Sequence, residues 1–305
     1  MKKIAVLLSG MPRNLDKVHE SHVNLFKKDG YEFDFFIHSW TDCWYKKQLK
    51  DNDETENDKD ELISELSQIY KPKSIIVEDQ QKNQTIIEDK KSLLNLCRLH
   101  ETTNNKGKKI CPLRYPLNTK DKTAGGLHFG QLYSLQSCCK IKYDYEEYHK
   151  FKYDYVIKSR LDLFYRDDIH DQFNEYINKI KPNQLLFKWM NIQCDGLLFC
   201  GDMHYIGDSE AIDKLCLDIY DYSLKRICRE ISGVESHRRS ECGNFNIPHT
   251  PEAVIGERLL AKNMDAKLNM NFPNFFPYRH YHRDEQQDYL ELYEKYKVEE
   301  SGMWR

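Results

Sequence analysis

The first forty residues restrict the fold more than any other stretch. Lys3 to Leu8 is an apolar run broken by Ser9-Gly10-Met11-Pro12-Arg13, and Phe33 to Ile37 is a second run that ends at His38-Ser39-Trp40. Between them Leu15, Val18, His22, Leu25 and Phe26 recur at three- and four-residue steps, which predicts a helix with one apolar face. Strand, glycine turn, helix and strand make a βαβ unit. That unit favours a parallel sheet with a right-handed crossover.

The remaining chain continues in the same style. Leu62, Leu66 and Ile69 predict a short helix stopped by Pro72, and Ser74 to Glu78 a third strand. A helix follows Ala124-Gly125-Gly126, a polar helix lies around Gln172 to Ile180, and Leu185 to Trp189 and Gly196 to Cys200 read as strands. Ser209 with Glu210 predicts the start of a helix reaching about Ile227. Thr250-Pro251-Glu252 opens another, with Thr as cap and Pro at the first helical position. Residues 46–61 are almost wholly polar and acidic and read as a solvated loop; 79–122 are polar with little periodicity and read as an insertion. One domain is expected over 1–285, with polar excursions in 41–122 and a helical tail over 286–305.

Composition narrows the function classes. In 305 residues, 40% hydrophobic and 31% charged is a globular balance that can build a sizeable core. The net charge of −3 provides no broad basic field, so nucleic acid is not an expected partner. No apolar run nears the roughly 20 residues that span a bilayer, and Ile4 to Leu8 is too short for a signal-peptide core. A cytoplasmic protein without an integral membrane segment is expected. The ten Cys form no C-x-x-C pair, which suits reduced, buried thiols better than zinc.

The chemistry concentrates at Tyr153 to Tyr165. Tyr155, Val156 and Ile157 predict a buried strand, and Ser159, Arg160 and Asp162 arrive where it leaves the core. Ligands of open α/β sheets bind outside the carboxyl ends of the strands. Arg160 and Asp162, two apart in extended backbone, point the same way; together they can hold a diphosphate directly and through a divalent metal, or simply pair with each other at the sheet edge. Gly10 lets backbone approach a ligand closely and Arg13 can reach a phosphate, although a turn alone also explains Gly10.

The stretches Leu8 to Arg13, Phe36 to Trp40, Gln131 to Lys140 and Asp154 to Asp162 carry a resemblance, as do Asp202 with Gly207 and Ser209, and Pro251-Glu252. In this order and spacing the chain resembles a group of bacterial and large-virus glycosyltransferase-like proteins of the GT-A fold, over residues 1–40 and about 124–265. The resemblance implies a Rossmann-like α/β fold with a mainly parallel central sheet flanked by helices. It also implies transfer of a sugar from a nucleotide-sugar donor to a hydroxyl of a glycan or similar acceptor. Donor-binding positions are then Gly10, Arg13, His38, Tyr133 and Arg160. The usual Asp-x-Asp for Mn²⁺ or Mg²⁺ has Arg160 in place of its first acid: either Asp162 holds the metal alone with water and phosphate, with His282, two residues after His280, as a late ligand, or Arg160 neutralises the diphosphate and reduces the need for a metal.

Asp202 then orients the acceptor or acts as base, with Asp195 as a weaker equivalent; either is also an ordinary turn acid. Glu252 can deprotonate an acceptor hydroxyl, and equally an acid in a helix's first turn is explained by the helix dipole. Two other functions remain open. A sugar nucleotidyltransferase needs a glycine-rich loop that Ser9 to Arg13 only approximates, and a non-catalytic nucleotide- or sugar-binding protein is favoured by Arg160.

Overall fold

The computed structural model describes residues 1–12, 15–41, 59–80, 82–99, 102–103, 109–110, 124–165, 173–187, 190–192, 198–231, 251–268 and 275–277. The opening βαβ unit is β1 (Lys2–Gly10), α1 (Leu15–Leu25) and β2 (Tyr31–Trp40), followed by α2 (Lys59–Tyr70) and β3 (Ser74–Glu78). Next come α3 (Gln84–Leu99) and the two-residue strands β4 (Thr102–Thr103) and β5 (Lys109–Ile110). The long helix α4 (Ala124–His149) leads into β6 (Tyr155–Arg160), β7 (Leu163–Tyr165), α5 (Phe173–Lys179) and β8 (Gln184–Phe187). The chain continues through β9 (Met190–Ile192), β10 (Leu198–Cys200), β11 (Tyr205–Gly207), α6 (Ser209–Cys216) and α7 (Ile219–Ile231). It then runs through α8 (Pro251–Ala261), β12 (Asp265–Leu268) and β13 (Phe275–Pro277).

Seven strands form one sheet in the order β12-β8-β11-β6-β1-β2-β3. Every pairing is parallel except those of β11, which runs antiparallel to both β6 and β8. Apolar residues occupy both faces of β1 because both are covered. Ala5 and Leu7, with Phe36, Val156 and Tyr205, pack under α4, α6, α7 and α8 through Leu132, Leu135, Ile212, Leu215 and Val254. Ile4, Val6 and Leu8, with Ile37, Ile157 and Ile206, pack on α1, α2 and α5 through Val18, Leu66 and Ile177. The result is the Rossmann-like, mainly parallel sheet flanked by helices that the opening unit calls for.

Several local expectations are corrected. The polarity of Ser159 does not mark the exit from the core: it is buried within β6, as is Lys158 before it. The Ser159 hydroxyl bonds Tyr165 Oη at 2.5 Å, and the Lys158 ammonium is capped by backbone carbonyls, so neither is stranded. The strand stops at Arg160 and turns at Leu161-Asp162, so strand alternation does not set the direction of Asp162. Lys59, Asp60 and Glu61, read as loop, are the exposed first turn of α2, where acids favour the positive helix end. Within 79–122, α3 forms because Asn83 caps it, its side-chain oxygen accepting from Ile86 N at 3.1 Å. Asp208, rather than Ser209, caps α6 by accepting from Ala211 N at 2.6 Å, and the long helix expected there divides into α6 and α7.

β11, to which the sequence pattern assigns no element, is a strand, because pairing on both sides compensates for its three-residue length. Cys138, Cys139, Cys200 and Cys216 are buried thiols. Among the described residues no helix is long and apolar enough to cross a membrane. The expected helical tail over 286–305, the loop over 232–248, Asp195 and most of the acidic stretch lie outside the described residues.

Candidate functional site

The parallel strands β1, β2 and β6 end together. Ser9 on β1 stands level with His38 on β2 and with Arg160 on β6. Residues level with one another on neighbouring strands share a face, so Ser9, His38 and Arg160 all belong to the α4 side. Gly10 closes β1 at φ +111°, a backbone angle that side-chain-bearing residues rarely adopt, although a Cβ there would meet nothing within 4 Å. Conformation, not lack of space, requires the glycine. Two polar clusters flank this point.

The first cluster gathers Arg160, Asp162, Asp202 and Glu252. The Arg160 guanidinium donates from Nε to Asp162 Oδ1 at 2.8 Å and from Nη2 to Oδ2 at 2.7 Å, a bidentate pair in which Asp162 is almost wholly buried. Burial opposes the charge on Arg160, but the fields of Asp162, Asp202 and Glu252 outweigh it and raise its pKa. Those fields are what tie Glu252, in the first turn of α8, to the cluster. The helix comes this close because Gly256, one turn on, packs directly on the Leu198 carbonyl of β10, where no side chain would fit.

Asp202 lies in the short link between β10 and β11 and is held from two directions. Its carboxylate accepts from the Gln131 amide of α4, and its backbone carbonyl accepts from the Lys158 ammonium, which also reaches Met203 O at 3.3 Å. Burial lowers the pKa of Lys158 to about 8, and Arg160 adds repulsion, while Asp202 and Asp162 pull the other way. Sequence reading did not single out Lys158. The signal was present, since a lysine inside an apolar strand run must find partners or lose its charge.

The second cluster holds His38 and Tyr133. His38 is fully buried, with Nδ1 2.9 Å from Ser134 Oγ and Nε2 3.2 Å from Glu78 Oε2. Asn83 bridges Glu78 at 3.1 Å and the Tyr133 hydroxyl at 3.3 Å. The hydrogen bond from His38 is the main reason the Glu78 carboxyl is held below its ordinary range. Trp40 and Tyr220 pack against the Tyr133 ring at centroid distances of 5.6 and 5.4 Å. His38 therefore braces the rim, and Tyr133 with Glu78 and Asn83 forms its partly exposed edge. Glu78, Asn83 and Lys158 are the members that sequence reading missed.

Arg13 and His282 lie outside the described residues. Among the described residues, no group of three or more His, Cys, Asp and Glu is arranged to hold a metal ion. Asp162 on its own does not fit one as arranged, because both carboxylate oxygens accept from Arg160 and the residue is almost wholly buried.

No family model and no curated protein matches the chain. Among solved structures it is similar to the apo form of mouse xyloside xylosyltransferase 1. That likeness has a TM-score of 0.38 at 10% identity, over 88% of this chain and 84% of that chain.

Proposed function

We propose that the chain is a glycosyltransferase, moving a sugar from a nucleotide-sugar donor to a hydroxyl of a glycan or similar acceptor. One observation carries the reading: Asp162, Asp202 and Glu252 all act on Arg160 at the carboxyl rim of a parallel sheet, beside the positive-φ end of β1. That rim is where open α/β sheets take their ligands. Gly10 allows backbone to approach a phosphate, the guanidinium recognises phosphate oxygens, and the partly exposed edge at Tyr133 suits a ring.

In the proposed transfer the acceptor oxygen bonds the anomeric carbon as that carbon's bond to the diphosphate oxygen breaks. The electron pair of the broken bond leaves on the nucleoside diphosphate. The acceptor proton goes to a carboxylate, with Asp202 and Glu252 as the candidates. Asp202 is braced by Gln131 and Lys158.

A panel of nucleotide sugars tests the reading, with binding followed by calorimetry and sugar release followed chromatographically. A transferase binds one donor and leaks its sugar slowly to water. Binding without release supports the non-catalytic alternative, and folded protein that binds no donor, with or without Mn²⁺, removes the reading.

A further inference from the structure

Resting on that transferase reading, we infer that the site takes its donor diphosphate without a resident divalent cation, the Arg160 guanidinium occupying the cation's role and Asp162 serving as its brace. The geometry of the pair points this way. A metal-binding aspartate presents its oxygens outward to the ion, whereas both oxygens of Asp162 face the guanidinium at 2.8 and 2.7 Å, and Asp162 is 1% exposed. A second fixed cation, Lys158, lies two residues earlier on β6, and its charge and that of Arg160 act on each other. A divalent ion on Asp162 would have to displace the guanidinium or reach the remaining lone pairs of an almost wholly buried carboxylate, and would then sit beside both positive groups.

The same pairing prepares Arg160 for an anion. Asp162 takes the edge formed by Nε and one Nη2 proton. The Nη1 amino group and the other Nη2 proton remain, and among the described residues Asp162 is the only hydrogen-bond partner of this side chain. A guanidinium fixed in plane along one edge offers the other as a preset fork, which is the geometry that recognises phosphate oxygens. The side chain is 14% exposed, so it is reachable from the rim. Asp202 and Glu252 help keep it charged.

The test is calorimetric binding of UDP and GDP to the full chain, in EDTA and then in Mn²⁺, with melting curves to confirm folding. Dissociation constants within about two-fold of each other in the two buffers are expected for the better ligand. Arg160→Lys, which keeps the charge and loses the fork, should bind at least about ten-fold more weakly in EDTA. R160D, which sets two acids around the position, should bind nucleotide only when Mn²⁺ is supplied. Binding by the unaltered chain that appears only with Mn²⁺ overturns the inference while leaving the transferase reading in place. Unchanged affinity in folded Arg160→Lys overturns the role of the fork. Folded, unaltered protein that binds neither nucleotide in either buffer overturns the inference and the transferase reading together.

Discussion

Acid should loosen this protein through the buried His22. The imidazole is fully buried, with Nε2 donating to Leu163 O at 2.5 Å and Nδ1 accepting from the Tyr70 hydroxyl at 2.8 Å. Those partners satisfy a neutral ring. Burial lowers its pKa from 6.5 to about 4, against partial opposition from the Leu163 bond and the field of Asp162. The unfolded chain therefore binds a proton that the folded chain refuses across this window. Stability from this group is complete above its unfolded pKa and is lost as pH falls from there toward the folded value. At about 1.4 kcal/mol per pKa unit the total is about 3 kcal/mol, of which about 2 kcal/mol is gone by about pH 5. Urea unfolding of the wild type and of His22→Gln at pH values between about 7 and 4.5 isolates the effect, because other titrating groups cancel in the difference. The wild-type advantage should shrink by about 2 kcal/mol over that range. Parallel loss of stability in both proteins would refute the reasoning. Because Leu163 follows Asp162 directly, the same titration should weaken amide protection in β7 before the sheet opens.

Other perturbations separate support from chemistry. Lys142→Met removes the ammonium that binds Glu146 and Asp213 at 2.9 and 2.6 Å and leaves them the partly exposed Lys152 as their cation, at 3.1 and 3.7 Å; it should cost about 1.5–3 kcal/mol by chemical unfolding, and a loss under about 1 kcal/mol would contradict the network. Gly256→Ala drives a methyl into the Leu198 carbonyl and should destabilise by about 1–3 kcal/mol, with an unchanged melting temperature as the opposing result. Asp202→Asn keeps the shape of its contact with Gln131, so it should lower sugar transfer at least about 100-fold while donor affinity stays within a few-fold. If transfer survives in that variant and falls in Glu252→Gln, the base is Glu252.

The sheet was legible because its signal is repeated. Ile4 to Leu8, Phe33 to Ile37 and Ser74 to Glu78 are short apolar runs separated by helix-length segments, and they form β1, β2 and β3. The rim residues Gly10, Arg160 and Asp202 were legible for the same reason: polar and glycine residues stand where apolar runs stop. What could not be read depends on contacts distant in sequence. Lys158 looks like the end of a buried run until the carbonyls of Asp202 and Met203 are brought to it. Tyr205 to Gly207 is too short to show a period and becomes a strand only by lying between β6 and β8. The direction of Asp162 depends on the turn at Leu161-Asp162, which the apolar pattern does not announce.

The reversed direction of β11 also limits how this rim can respond to a ligand. Parallel strands contribute only their trailing loops to the carboxyl edge, and such loops are tethered firmly at one end before wandering off to a helix. β11 contributes its leading segment instead: residues 201–204 are strung between β10 and a strand hydrogen-bonded on both sides. At roughly 3.5 Å of chain per residue, that bridge is short. Asp202 behaves as a fixed post in the wall. An incoming molecule on this side of the rim then meets a wall that is already set, Asp202 ahead of one strand and the Asp162-braced Arg160 at the end of the next.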